Sequence, residues 1–304
     1  MRHDRLRSWR EDGAAFWALT APPVLWLVAF FVVPLAMVWL VSFAGRGPQG
    51  QVLPVATLEN YARALEPIHL LIIAKSVAIA VAVTAICVVI GVAMALVIAF
   101  APTRWKNPLL LLVMLPFWTN LLIRTYSWIA LLRSEGLVNL GSGWLHEAAD
   151  ALLGLVGLDG LMPAFQPVEL LYSTSAVILS LIHIHLPFVV LPAYAALERI
   201  DRDCLESSLD LGATPAQTFR LVMLPMAMPG IATGALIAFI LALGSFVAAD
   251  LLGGTDSIMI GNLIQRQFTA SNDWQFGAAL SFLLLYVTFA LVWLNAARRA
   301  RVPS

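Results

Sequence analysis

Lysine is nearly absent from this 304-residue chain: Lys75 and Lys106 are the only two. Charged residues of every kind make up 12% of it, basic and acidic residues number 18 each, and the formal net charge is zero. That balance gives no support to a nucleic-acid-binding surface. Neither lysine follows the glycines of a G-x-x-x-x-G-K-[ST] phosphate loop, so the chain has no such site for driving its own chemistry with a nucleotide. Cysteine is equally scarce. Cys87 falls in an apolar run and Cys204 in a polar connection, which makes neither a disulfide nor a metal cluster an expectation. His183 and His185 lie two apart, and on a helix such residues point about 200° apart, so they do not share one ion. No nucleophile and base stand in a catalytic spacing, and an intramembrane enzyme has little behind it. No cleavable signal peptide is expected either, because the first apolar run is too long and follows an Arg-rich lead.

What the chain has in abundance is apolar sequence. Hydrophobic residues are 61% of it, and the mean hydropathy of +0.87 marks a polytopic membrane protein. The pattern predicts an all-α protein with six transmembrane helices. A polar lead (residues 1–16) precedes a first span over about Trp17–Phe43, with Pro34 kinking it, and a Gly/Pro stretch to Pro54. A short amphipathic helix over about Leu58–Leu65 comes before a second span at about Leu70–Phe100. Pro102–Pro108 reads as a tight basic turn, and the third span as about Leu109–Leu132. Residues 134–170 read as the longest polar segment, carrying Glu135, Glu147, Asp150, Asp159 and Glu169. The remaining spans are placed at about Leu171–Leu197, Pro229–Leu252 and Phe276–Ala296, with a short helix near Ile260–Phe268 between the last two. Residues 17–296 are thus the membrane domain and 297–304 a tail.

Six spans put both ends on one side, and basic residues choose it. Arg2, Arg5, Arg7 and Arg10, the Arg104/Lys106 turn, Arg199, Arg202 and Arg220, and the terminal Arg298, Arg299 and Arg301 share one face. The other carries Arg46, Arg63, Arg133, Arg266 and the long acidic segment. Both termini and the 203–225 connection are therefore expected in the cytoplasm. Three ionisable groups fall in or near spans, where a charge at the bilayer centre costs ~2.5–3.5 kcal/mol. Lys75 and Asp250 lie near outer ends. Arg124 sits deeper, beside Thr119, Asn120 and Thr125, and a pair with Asp250 would relieve it. Trp118, Tyr126 and Trp128 could stack on a cation, so Trp118, Asn120, Arg124, Tyr126, Trp128 and Asp250 are the candidate pathway residues.

The polar connection DCLESSLDLGATPAQTFRLVMLP (203–225) is built unlike a loose loop. Asp203 with Glu206 three residues on predicts a capped helix to about Leu211, and Gly212 can take the left-handed conformation that ends it. Thr214, Pro215 and Gln217 predict a second capped start. Two capped helices at a glycine make a stiff elbow.

Glu206-Ser207-Ser208, then Gly212, then Val222, Leu224 and Pro225 resemble the cytoplasmic EAA loop of ABC-importer permeases, with Ser for both alanines and Val for isoleucine. LPFWTNLLIRTYSWIALLRSEGLVN (Leu115–Asn139), HLPFVVLPAYAALERID (His185–Asp201) and DLLGGTDSIMIGNLIQRQFTASNDWQFGAALS (Asp250–Ser281) resemble the permeases of spermidine/putrescine-type importers, and the likeness runs from about Leu58 to Leu294. The resemblance implies a type I ABC importer permease fold in a bacterial inner membrane, and a non-catalytic transport subunit. It also implies a second permease, two copies of an ATPase subunit that carry the ATP and Mg, and a periplasmic binding protein. No cofactor is expected on this chain. The residues it implies for ATPase coupling are Glu206, Ser207, Ser208, Asp210, Gly212, Ala213, Thr214, Pro215, Leu224 and Pro225. Polyamine cargo sits uneasily with a single intramembrane carboxylate, and another small amine, an opine or an aminophosphonate is the alternative. An ion-coupled secondary transporter would need a deep acid and a midplane repeat, and neither is evident.

Overall fold

A computed structural model describes residues 13–48, 50–154, 163 and 165–300, the side chains of 14, 15 and 295–300 excepted. The Arg-rich lead through residue 12, Asp159, Arg301 and the rest of the tail lie outside the described residues. Five helices are long and apolar enough to cross a membrane, and a sixth span results if one bent pair counts as a single crossing. The chain divides into two compact units, Leu70–Leu263 and the combination of Met1–His69 with Ile264–Ser304.

In the unit formed by the two ends, helix α1 (Gly13–Leu27) runs through a π turn (Val28–Val32) into α2 (Val33–Ser42). The π turn has a local cause. The ring of Pro34 cannot accept the carbonyl of Phe30 one regular turn earlier, and the wider turn moves that carbonyl aside. The Gly/Pro stretch after the first span is an antiparallel hairpin, β1 (Ala44–Arg46) with β2 (Val52–Ala56), bulged between Ala44 and Gly45. The short helix α3 (Glu59–Ala64) follows as expected.

What knits this unit is Asp273, 1% exposed, in the turn before the final helix. Its Oδ2 accepts Arg46 Nη1 at 2.8 Å and Arg63 Nη2 at 3.0 Å, while Oδ1 accepts the Phe276 backbone N–H at 3.1 Å. The Arg63 guanidinium also lies 4.3 Å from the centre of the Phe276 ring. Buried Gln275 donates to the carbonyls of Gly45 and Gln51. Asp273→Asn keeps the shape but removes the charge between two arginines. Because both guanidiniums keep some water, the expected loss is ~1–3 kcal/mol, below the full cost of breaking a buried pair. Thermal unfolding of the detergent-solubilised protein checks this, and an unchanged midpoint would refute it.

The central unit takes most of helix α4 (Pro67–Phe100). The next segment departs from expectation twice. Pro102–Pro108 is not a turn: Pro102 precedes helix α5 (Thr103–Met114), with Pro108 inside it. The third span is not one helix either. A 3₁₀ turn (Leu115–Trp118) ends α5, α6 (Leu121–Leu132) follows, and the run Leu121–Leu153 lies at 92° to Thr103–Trp118. Pro116 and the Asn120 cap, whose side chain accepts the Leu122 N–H at 2.8 Å, account for the break. Within the segment read as polar, residues Leu137–Gly154 form helix α7. Helix α8 (Thr174–Leu197) is the hub, with 56% of its most apolar window buried. The elbow helices follow, then α11 (Leu224–Leu243).

The fifth span also differs from its reading. The helical run extends from Pro215 to Leu243, and Gly244–Phe246 separate it from a short helix α12 (Val247–Leu252). Buried Asn262 holds that break by donating to the Phe246 carbonyl at 3.0 Å and accepting the Met259 N–H at 3.2 Å. Helices α13 (Ile260–Thr269) and α14 (Trp274–Ala300) complete the described residues.

Helix α8 packs on α11 and on α4 through small residues. A β-carbon at Gly234 would stand 2.9 Å from the Val189 Cα, and one at Gly91 would meet the Val189 side chain at 3.0 Å. Between helices in lipid, where apolar surface has no water to escape, such close approach is the main source of attraction.

Candidate functional site

The elbow begins two residues earlier than its sequence indicates. Asp201, not Asp203, caps α9 (Arg202–Asp210), its side chain accepting the Asp203 N–H at 3.2 Å. Glu206 therefore sits beyond the first turn and completes no capping box with Asp203. Helix α8 ends at Leu197, and the backbone is already extended at Asp201, so the earlier aspartate reaches the free N–H groups first.

The far end of α9 matches its reading. Gly212 has φ +87°. The Gly212 N–H donates to Leu209 O at 2.9 Å and the Ala213 N–H to Ser208 O at 3.2 Å, the two bonds of a Schellman turn. Thr214 then starts α10 (Pro215–Thr218) with a complete capping box. Its Oγ1 accepts the Gln217 N–H at 3.3 Å, and Gln217 Oε1 accepts the Thr214 N–H at 2.8 Å. A hydrogen bond of 2.8 Å between the Ser208 and Thr218 hydroxyls joins the two short helices. So Ser208 fastens the elbow, while Glu206, Ser207, Asp210, Thr214 and Pro215 lie on its exposed side.

Two features tie this elbow to the long helices. Helix α10 continues through a π turn (Phe219–Met223) into α11, where Leu224 and Pro225 are the first residues. On the inner side, Leu205 and Phe219 pack against a cluster that includes Ile98, Val113, Leu197 and Met223. On the outer side, Leu211 is 89% exposed, the most exposed large apolar side chain among the described residues. The elbow thus joins α11 through continuous helix and α4, α5 and α8 through packing.

The candidate pathway residues do not form one cage. Asn120 is the cap of α6, and Trp118 and Tyr126 are exposed, at 72% and 57%. Trp128 turns the other way, its indole N–H donating to His183 Nδ1 at 3.3 Å. That bond leaves the His183 proton on Nε2. His185, 4% exposed, donates from Nδ1 to Leu181 O at 2.8 Å. The two histidines thus have separate partners, and no group of three or more His, Cys, Asp or Glu among the described residues could hold a metal ion. Arg124 is half-buried, and its Nε is enclosed without a hydrogen-bond partner. Helix α12, which carries Asp250, packs against α6, which carries Arg124.

Sequence reasoning missed Asn262, Gln275 and the role of Asp273. Only Asp273 left a local trace, as a helix cap.

A family model described as "Binding-protein-dependent transport system inner membrane component" matches residues 15–302. A protein of Escherichia coli K12 named spermidine/putrescine transport system permease protein PotB is 37% identical over 275 residues, which cover 90% of this chain and 94% of that protein. Its Haemophilus influenzae namesake is 36% identical, with 88% of each chain covered. Among solved structures, a bacterial ABC transporter described as involved in import of the acidic polysaccharide alginate shares the fold. Its TM-score is 0.70 at 17% identity, covering 99% of this chain and 100% of that one.

Proposed function

Because the chain belongs to the family of binding-protein-dependent transport system inner membrane components, we propose that it is the permease subunit of an ATP-driven importer whose cargo is spermidine, putrescine or a closely related small polyamine. It is not itself an enzyme. The cargo reading rests on the identity to the two curated permeases. The coupling reading rests on one observation above others: a doubly capped elbow with an exposed apolar tip runs without interruption into a membrane helix.

In this reading an ATPase dimer carrying ATP and Mg docks on the elbow from the cytoplasm, with a second permease alongside and a periplasmic binding protein on the other face. Closure of the ATPase dimer pushes the elbow, and α11 and its packed neighbours switch the pathway. The elbow's turn bonds hold its shape, so force is delivered and not absorbed. Glu206, Ser207, Asp210, Gly212, Ala213, Thr214 and Pro215 form the docking side, and Leu224 and Pro225 the root of the lever.

The enclosed Nε of Arg124 favours a second cargo, a small amine that also bears an acid group, such as an opine or an aminophosphonate. A direct Arg124–Asp250 pair would instead neutralise that charge and leave the polyamine reading intact. Calorimetry of the cognate binding protein against spermidine, putrescine and aminoethylphosphonate decides between them. Binding of the phosphonate alone would overturn the polyamine assignment.

The native cysteines test the orientation without any substitution. Cys204 is exposed on the elbow and Cys87 is buried. A membrane-impermeant maleimide is expected to label the protein in inside-out vesicles and not in right-side-out ones. The reverse pattern would put the elbow on the wrong side of the membrane.

A further inference from the structure

Lys106 and Glu198 meet at the inner end of the central unit. Lys106 Nζ lies 2.8 and 2.9 Å from the two carboxylate oxygens of Glu198. The lysine side chain is 13% exposed and the glutamate 41%. Lys106 stands in the first turn of α5, the inner half of the broken span, and Glu198 caps the C-terminus of α8, three positions before the elbow's cap at Asp201.

Each charge sits at the wrong end of its own helix. A cation near a helix N-terminus and an anion near a C-terminus each cost roughly 0.3–1 kcal/mol against the backbone dipole. Neither helix gains from its own charge, and the two become favourable only through each other. One of the chain's two lysines is committed to this contact, and most of its side chain is withdrawn from water.

The packing shows what the contact adds. Leu109, Leu110 and Val113 of α5 rest on the same apolar cluster as Leu197, Ile200, and Leu205 and Phe219 of the elbow. Apolar contact is non-directional and lets α5 slide on that cluster. A two-oxygen ionic contact fixes its register.

We propose that the Lys106–Glu198 pair is an ionic tie that positions the broken span on the elbow, so that elbow displacement moves α5 together with α8 and α11. The inference rests on the coupling reading of the elbow and assigns two positioning residues to it.

The test uses the complete transporter in proteoliposomes, with its ATPase and binding protein, and reads cargo taken up per ATP hydrolysed. Lys106→Met and Glu198→Gln are each expected to lower that ratio about fivefold, the equivalent of ~1 kcal/mol for a partly exposed pair, with ATP hydrolysis retained. Lys106→Arg is expected to keep the ratio within about twofold of wild type, and Lys106→Glu combined with Glu198→Lys to recover most of it. Purely structural residues would change protein yield and leave the ratio alone. Single variants with a normal ratio, or a folded charge-swapped protein no better than the singles, would overturn the tie. Gly212→Pro run in parallel separates the two ideas: if it uncouples while Lys106→Met does not, only the tie is wrong. If Gly212→Pro transports normally, the elbow reading fails first.

Discussion

Gly212→Pro is expected to reduce ATP-driven uptake by about two orders of magnitude, leaving membrane insertion and most ATP hydrolysis in place. Proline holds φ near −65° and has no N–H, whereas Gly212 has φ +87° and donates to Leu209 O. Both the dihedral and the bond are lost, and ~3 kcal/mol against the elbow's shape corresponds to about a hundredfold fewer competent elbows. A graded series makes the cause visible. A β-carbon at Gly212 would meet nothing within 4 Å, so alanine there suffers only the left-handed backbone. That penalty is ~1–2 kcal/mol, or about tenfold in uptake, while asparagine, which tolerates the conformation, should lie between alanine and glycine. Glu206→Lys changes an exposed side chain and none of the turn bonds, and is expected to uncouple through docking alone. Uptake and hydrolysis measured together in proteoliposomes check the series. Wild-type uptake by both the proline and the Glu206→Lys variants would remove the elbow from the mechanism.

The elbow was readable from sequence because its grammar is local. Gly212, Thr214, Pro215 and Gln217 lie within six residues and each admits few conformations, so the Schellman turn and the capping box follow from identity and spacing. The first cap was misplaced because Asp201 and Asp203 are both good caps, and the decision depends on where α8 unwinds. The broken span shows the opposite case. Leu109–Leu132 reads as one span by its average hydropathy, and the break signals, Pro116 and Asn120, are outweighed unless the cap is recognised. Helix α7 went unread because Gly141 and Gly143 lower its propensity, which packing against α6 overrides. The Asp273 junction joins residues 227 positions apart, and no window of sequence contains both ends of such a pair. The candidate pathway could be named but not assembled, since the directions of Trp128 and Tyr126 depend on the 92° bend.

Gly230→Leu is expected to be the most damaging single change in the membrane helices. A β-carbon at Gly230 would lie 2.4 Å from both the Pro192 carbonyl oxygen and the Ala196 Cβ. One of these atoms is backbone, so no rotamer change relieves the contact, and α11 must retreat from α8. The cost exceeds the ~1–3 kcal/mol of ordinary overpacking, because a helix and not a side chain has to move. Loss of the folded fraction in detergent, followed by size-exclusion profile and thermal midpoint, is the expected result, with Gly230→Ala a milder version of it. Gly141→Ala is the control, since a β-carbon there meets nothing within 4 Å and alanine favours the helix. A second change, Ala196→Gly, removes one of the two obstructing atoms and leaves the Pro192 carbonyl, so it should rescue Gly230→Ala only in part. Complete rescue would mean that the side chain alone sets the helix separation. No rescue would place the whole constraint on the Pro192 carbonyl, held in an α8 backbone whose course is fixed by its two prolines.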